Sequence, residues 1–397
     1  MTPDLSHPDT YTNGIPHDVF QRLRASDPVS WQPEQGGRGY WAVTRYHDAI
    51  AVLRTPQIYS SWRGGVLLQD PPAPFLEKLR ESMMNRDPPD HTRLRRMVNR
   101  ALNPRRLERL EGAIATHARS VVAGVRGRGH CDFAVEIAEQ MPLHLICEIL
   151  GVPEDDRLAL YRLTIRMFST ELVDPTEAMQ DKMAAAADMR TYGSELLRRK
   201  AVVPADDLSS ELAHEVDRGA LSANEYEAFF MLLFNAGTDT TRSLLCYGLN
   251  LLLERPAVMD RLRGDVELLP NAIEEMLRYE PPVIQIRRTA TRDAELGGRA
   301  IKEGDKVVVF FPSANRDEAV FTEPDRFDIQ RSPNDHIAFG FGTHFCLGAP
   351  LARLEAKHLF REVLSQLHRL EALGPAVPAR TNFVRSIRHL RISFTAA

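Results

Sequence analysis

The sequence predicts an α+β fold, mostly α-helical, with small β-sheets set to one side. Two observations carry that prediction. Across residues 92–255 apolar side chains recur at helical spacing in one stretch after another. After about Pro281 the pattern shortens to strand-like pieces at 285–290, 295–298 and 306–311. The composition agrees: 397 residues, 43% hydrophobic and 26% charged, with 23 glycines and 26 prolines. It excludes disordered, collagen-like and coiled-coil classes, and the chain is long enough to bury a large core.

In chain order, a strand-like piece at 40–44 precedes helical spacing at 46–53. Residues 132–150 place apolar side chains three and four apart and stop at Gly151-Val152-Pro153. Asp174-Pro175 opens a helix that runs to Lys200. The longest predicted helix begins at Ser222, where Ser222-Ala223-Asn224-Glu225 has the form of a capping box. Its periodicity reaches Arg255 and is stopped by Pro256. That is about 34 residues, or roughly 50 Å, long enough to cross the molecule. A loop rich in Pro, Asn and Gly follows the strand-like pieces. One more helix is predicted over about 347–367, and 381–394 alternates as strands do.

Lys+Arg 50 against Asp+Glu 54 leaves a net charge of −4. A balance this even implies no nucleic-acid or membrane-surface partner. The first thirty residues are broken by Pro3, Pro8, Pro16 and Pro28 and hold no apolar run, so a soluble, cytoplasmic protein without a membrane anchor is expected. Four cysteines are no disulfide framework. Cys131, Cys147 and Cys246 sit in apolar, helix-like stretches and read as core. Cys346 does not.

Cys346 lies in Phe339-Gly340-Phe341-Gly342-Thr343-His344-Phe345-Cys346-Leu347-Gly348. His344 and Cys346 could be half of a zinc site, but no second pair of ligands lies nearby in sequence. They could be a nucleophile and base, but no third group orients them. A buried structural cysteine is the commonest fate of any one Cys. The glycines argue otherwise: they allow a tight turn with N–H groups aimed at the sulfur. The helix starting just after it turns its positive end toward a thiolate.

The segment resembles the Phe-Gly-x-Gly-x-His-x-Cys-x-Gly haem-ligand signature of the cytochrome P450 superfamily at all six fixed positions. Six residues at about one in twenty each give chance odds on the order of 10⁻⁸ per start position. The resemblance extends from about Gly14 to Phe394 and implies one P450 domain over 1–397. About a dozen helices are then expected, with haem between the long central helix and the cysteine-loop helix. It implies heme b (iron protoporphyrin IX) as cofactor and Cys346 as the axial thiolate of its iron. Phe339, Gly340 and Gly348 would complete the cofactor loop, and His344 would meet a haem propionate.

Other motifs fall in the family's order. Glu275-Met276-Leu277-Arg278 is by itself an ordinary i,i+3 ion pair. In the family such a pair joins an arginine from a Pro-x-Arg-Phe segment, here Pro324-Asp325-Arg326-Phe327, in a structural network of Glu275, Arg278 and Arg326. Ala236-Gly237-Thr238-Asp239-Thr240-Thr241 puts glycine, β-branched residues and an Asp inside an apolar helix, all poor choices for packing alone. By resemblance Ala236 and Gly237 leave room for a haem face and dioxygen. Asp239 and Thr240 resemble the family's catalytic acid–alcohol pair, with the Thr240 hydroxyl expected to go to local backbone or water and to open the helix ladder there. His91 and Arg95, an i,i+4 pair, and Arg288 resemble propionate partners; Arg287 beside it is the weaker choice.

The pocket implied by resemblance is apolar: Val66, Leu67, Leu68; Phe230, Leu233, Phe234; Val283, Ile284; Phe383, Val384. Asn235 either hydrogen-bonds substrate or faces another helix or a water. Residues 87–109 hold seven arginines against Asp87, Asp90 and Glu108, a local +4. By resemblance Arg96, Arg100, Arg105 and Arg106 would dock an acidic ferredoxin-type electron donor. The function so implied is a monooxygenase. It inserts one atom of O2 into a C–H bond of a hydrophobic substrate (steroid, terpenoid or branched lipid), with electrons from NAD(P)H through ferredoxin reductase and ferredoxin. The rivals are a peroxide-driven peroxygenase and a haem sensor or carrier; the Asp239–Thr240 pair argues against both.

Overall fold

The computed structural model describes residues 3–34, 36–101, 104–168 and 174–396. Helical periodicity becomes helix along most of that length. The helices are α1 His17–Ser26, α2 Tyr46–Arg54, α3 Ala73–Leu79, α4 Asp90–Ala101, α5 Pro104–Arg126, α6 Gln140–Leu150 and α7 Glu154–Phe168. They continue with α8 Pro175–Val202, α9 Leu208–Asp217, α10 Ala223–Leu253, α11 Pro256–Gly264, α12 Leu269–Tyr279, α13 Phe311–Ala314 and α14 Ala349–Gln366. The capping box forms as written: the Ser222 hydroxyl accepts from Glu225 N–H, and the Glu225 carboxylate accepts from Ser222 N–H. The 31 residues of α10 span about 46 Å.

The sheets are small. Five strands pair in the order Val29–Gln32, Tyr40–Val43, Lys306–Phe310, Gln285–Ala290, Tyr59–Ser60. Only the second and third of these run parallel. His130–Asp132, Arg391–Ala396 and Leu367–Ala372 make a second sheet. The observed class is the expected one, mostly α with small sheets.

Two local readings differ. The helix expected over 132–150 is divided: Asp132 closes a strand, a π-helical turn occupies Ala134–Ala138, and α6 begins at Gln140. The Asp132 carboxylate binds the N–H groups of Ala134 and Leu390, which holds that residue in the sheet. The single strand expected at 295–298 is a hairpin of Ala294–Leu296 and Arg299–Ile301, with Gly297 and Gly298 at φ 55° and 75° in its turn.

The largest apolar cluster packs α5, α6, α10, α12 and α14 together. Gly248 permits the tightest approach. A Cβ there would stand 2.8 Å from both Met276 Sδ and the Phe360 ring, so α10 lies directly on α12 and α14. No helix among the described residues is long and apolar enough to cross a membrane.

Candidate functional site

The loop before α14 folds tightly around Cys346. Gly340 and Gly342 take φ of 73° and 68°, and a Cβ on Gly342 would stand 2.9 Å from Leu53 O. The Cys346 N–H donates to Phe339 O at 2.8 Å, which closes the turn. The N–H groups of Gly348 and Ala349 act on the thiol by lowering its pKa, and the Ala349 N–H also donates to Cys346 O at 3.4 Å. Cys346 is exposed, yet burial pushes its pKa up against the pull of those N–H groups, Arg95 and Arg353. A thiol both accessible and desolvated faces space enclosed by the protein. The other three cysteines are buried, and burial pushes each thiol up to about 12. No group of three or more His, Cys, Asp or Glu among the described residues could hold a metal ion, so the half-zinc reading of Cys346 finds no partners. The Arg353 guanidinium lies 4.6 Å over the Phe339 ring and binds Glu274 through two 2.7 Å hydrogen bonds, fixing the loop's packing partner to α12.

Beside this loop four basic side chains converge. The His91 and His344 rings lie 4.2 Å apart, and Arg95 donates to Thr343 O at 3.2 Å. Arg288 is buried and, among the described residues, its side chain donates only to its neighbour's carbonyl, Arg287 O, at 2.8 Å. Neither Arg95 nor Arg288 has an ion-pair partner among the described residues. Burial lowers Arg288 to about 10 and His91 to about 4. Burial and the neighbouring Arg288 hold His344 well below its ordinary value. The His91 Nδ1 is buried without a hydrogen bond. Buried guanidinium without a carboxylate is costly unless an anion completes it. Alternation along the strand separates its two arginines: Arg287 turns the other way and pairs with Asp70 at 2.8 Å.

The network behind the loop forms with one correction. Glu275 and Arg278 are wholly buried and doubly bonded at 2.7 and 2.8 Å. The third partner is Arg331, whose Nε stands 3.1 Å from Glu275 Oε2, and not Arg326. The Arg326 side chain is 61% exposed and pairs with Glu323; what it gives the network is its carbonyl, which accepts from Arg278 and Arg331. The chain turns back after Phe327, placing Asp328 N–H on Glu275 Oε1 at 2.8 Å and bringing Arg331 inward.

At mid-length of α10, Ala236 is exposed although Phe234 and Thr238 beside it are buried, so the helix presents an accessible face there. Leu233, Ala236 and Thr240 share one face. The Thr240 hydroxyl donates to Ala236 O at 2.7 Å, and the helix runs on without interruption, so the expected opening of its ladder is not seen. Gly237 does not face the same space: a Cβ there would meet Ile146 Cδ1 at 3.2 Å, so its smallness serves the approach of α6. Burial raises the Asp239 carboxyl, opposed by Arg242, whose Nη1 is 3.7 Å away. Arg242 escaped the sequence reading; an arginine three residues after Asp239 in an apolar helix was its signal.

The expected pocket divides. Leu67, Leu233, Val283, Phe383 and Val384 are half-buried, and Val283 bridges Val384. Val66 is buried, its carbonyl accepting from Arg287 N–H. Leu68 and Ile284 are committed to a core cluster with Tyr40 and Phe310. Phe230 and Phe234 are buried too, Phe230 stacking near Tyr192 of α8 with centroids 5.7 Å apart. Asn235 turns to α7, its carboxamide oxygen accepting from the Thr164 hydroxyl at 3.0 Å.

Of the expected docking arginines, Arg96 is exposed and has no ion pair among the described residues. Arg106 is buried and bound to Asp206 and Glu211 at 2.9 and 2.7 Å, so it is a clamp to α9 and not a free surface charge. The side chains of Arg100 and Arg105 lie outside the described residues.

Comparison with known proteins gives the family. A family model described as Cytochrome P450 matches residues 167–371. The chain is 42% identical over 405 residues to a putative cytochrome P450 126 of Mycobacterium tuberculosis, covering 98% of this chain and 96% of the relative. It is 34% identical to a steroid C26-monooxygenase of Rhodococcus jostii, covering 99% and 85%. Among solved structures, Mycobacterium marinum cytochrome P450 CYP268A2 in complex with pseudoionone superposes with a TM-score of 0.89 at 37% identity. That match covers 95% of this chain and 94% of the other.

Proposed function

The chain belongs to the cytochrome P450 family, and on that premise we propose that it inserts one atom of dioxygen into a C–H bond of a hydrophobic small molecule. The enzyme class, a haem-iron monooxygenase, comes with the family. The observation that carries the site assignment is Cys346 itself. It is an accessible yet desolvated thiol whose pKa two backbone N–H groups pull down, with no group of three or more His, Cys, Asp or Glu among the described residues that could hold a metal instead.

The residues present fit heme b. Cys346 Sγ would hold the iron. Arg95, Arg288, His91 and His344 would hold the propionates, which supply the anions that the buried guanidinium and the orphaned His91 Nδ1 lack. Bound haem supplies the redox chemistry that splits dioxygen, with thiolate electron donation favouring O–O cleavage. The protein's task on the other side is protons and exclusion of water. Thr240 donates its hydroxyl hydrogen to Ala236 O, which leaves Oγ1 free to accept a hydrogen bond from water. The Asp239 carboxyl carries the proton inward; burial raises its pKa, with Arg242 opposing. Leu233, Val283, Phe383 and Val384 line the substrate space in this reading.

Substrates of steroid, terpenoid or branched-lipid kind are supported by the relatives: one is a steroid C26-monooxygenase and one was solved with pseudoionone. Electrons come from NAD(P)H through a ferredoxin reductase and an acidic ferredoxin that meets the surface near Arg96. The reduced, carbon-monoxide-bound protein is expected to show the thiolate-type Soret band and Cys346→Ala to lack it. Survival of that band in the variant overturns the ligand assignment. A screen of steroids, terpenoids and fatty acids for a shift of the haem spin state names the substrate class.

A further inference from the structure

We propose that Arg242 is a positioning residue through which the C-terminal loop at the pocket sets the place of the Asp239 carboxylate. The inference rests on the monooxygenase reading above and adds to it a link between substrate contact and proton delivery.

Among the described residues Arg242 is the only cation within ion-pair distance of Asp239, and the 3.7 Å between them is longer than a hydrogen bond. The guanidinium is engaged elsewhere. Its Nη1 donates to Ser386 Oγ at 2.6 Å, its Nη2 to Ile387 O at 2.9 Å, and its Nε to Ala134 O at 3.4 Å. A second carboxylate, Glu139, stands 3.9 Å from Nε. A guanidinium is a rigid fork, so the loop that grips Nη1 and Nη2 fixes how near Nη1, the nitrogen facing Asp239, comes to that carboxylate.

That loop is the one bearing the pocket side chains. Phe383 O accepts from Ile284 N–H at 2.8 Å, and Val384 bridges Val283. Arg385 next to them turns inward, lying 4.0 Å over the Tyr247 ring of α10 and binding Glu280. Ser386 follows and meets Arg242. One residue therefore separates a half-buried pocket valine from the hydroxyl that holds the fork. A ligand pressing on Phe383 or Val384 moves Ser386, and Arg242 closes on Asp239 or withdraws from it. The chemical step is proton transfer alone: the carboxyl gives a proton inward and regains one from water.

The test reads Asp239 directly, by its carboxyl infrared band in the haem-loaded protein, identified by its loss in Asp239→Asn. Arg242→Gln is expected to move the band toward the protonated acid, Ser386→Ala to move it part of the way, and Arg242→Lys to restore it in part. In turnover with the ligand found by the spin-state screen, product per NAD(P)H is expected to fall about tenfold in Arg242→Gln and about twofold in Ser386→Ala, peroxide taking up the difference. The ligand's spin-shift midpoint and the Soret band stay as in the unaltered protein. If Arg242→Gln does not fold, Ser386→Ala and Arg242→Lys carry the test, since each keeps a cation or removes one hydroxyl only. An unchanged carboxyl band in Ser386→Ala overturns the proposal, whereas a missing thiolate Soret band in the unaltered protein overturns the haem reading and does not touch the infrared result.

Discussion

Two acid–arginine pairs stand at the same i,i+3 spacing on two helices of this molecule, and they have opposite fates. Glu275 and Arg278 on α12 are sealed from solvent and doubly bonded, and Glu275 also accepts from Asp328 N–H, Arg331 and Asn334. Asp239 and Arg242 on α10 stand 3.7 Å apart, with the Asp239 side chain 22% exposed and the arginine bound to other groups. Spacing permits either outcome. The difference lies in what the surrounding chain offers. Around Glu275 an irregular loop brings three further donors; around Asp239, among the described residues, no donor but a distracted guanidinium comes within reach. A fully satisfied buried carboxylate is a fixed strut, and an incompletely satisfied one is free to exchange a proton.

The contrast breaks most visibly at Glu275. Glu275→Ala leaves Arg278 and Arg331 buried without an anion, a loss of about 3–5 kcal/mol by comparison with other broken buried pairs. It is expected to unfold at markedly lower temperature and to retain little haem. If thermal unfolding and haem content match those of the unaltered protein, Glu275 is no strut. Asp239→Asn tests the opposite case. It is expected to leave unfolding nearly unchanged and to lower product formation by about 10²-fold, the usual reach of a positioned acid. A loss of stability comparable to that of Glu275→Ala, with normal turnover per haem, reverses the two roles.

A smaller effect separates the two arginines of the neighbouring loop. Arg331→Ala removes a nearly buried guanidinium that bonds Glu275 and three carbonyls, and is expected to cost about 2 kcal/mol in denaturant unfolding. Arg326→Ala removes an exposed side chain whose carbonyl stays in place, and is expected to fall within about 0.5 kcal/mol of the unaltered protein. Equal losses return Arg326 to the network.

That pair of arginines also shows where the sequence was legible. The cysteine loop could be read because it resembles a family signature residue by residue, and the long helix because a capping box and a proline mark its ends. The Glu275–Arg278 pair could be read because helix geometry brings i and i+3 together. The third member could not. In an irregular segment the side chain and the carbonyl of one residue point different ways, and Arg326 supplies the carbonyl while Arg331 supplies the cation. Asn235 met the same limit: its partner Thr164 is 71 residues away on α7, and nothing local announces that contact. Gly237 was small for Ile146 of α6, a neighbour still farther away in sequence.

The same division between committed and uncommitted charge reaches the surface, where the expected effect is smallest. The +4 read from residues 87–109 suggested a face of free cations. The fold uses several of them: Arg93 binds Glu225, Arg106 and Arg109 bind Asp206, and Arg95 turns inward. Arg96 is exposed and without an ion pair among the described residues. A charge already neutralised at close range adds little to a field felt beyond a Debye length of about 8–10 Å, whereas an isolated one steers an approaching anion until salt screens it. Arg96→Ala is therefore expected to slow reduction by an acidic ferredoxin about threefold at low ionic strength, an effect that fades as salt is added. Arg106→Ala is expected to leave that rate and its salt dependence alone and to destabilise the packing of α5 on α9 by about 1 kcal/mol. Stopped-flow reduction over a salt series decides between them: a larger salt-dependent loss at Arg106 than at Arg96 shows that ion pairs seen in the folded chain do not remove a charge from docking.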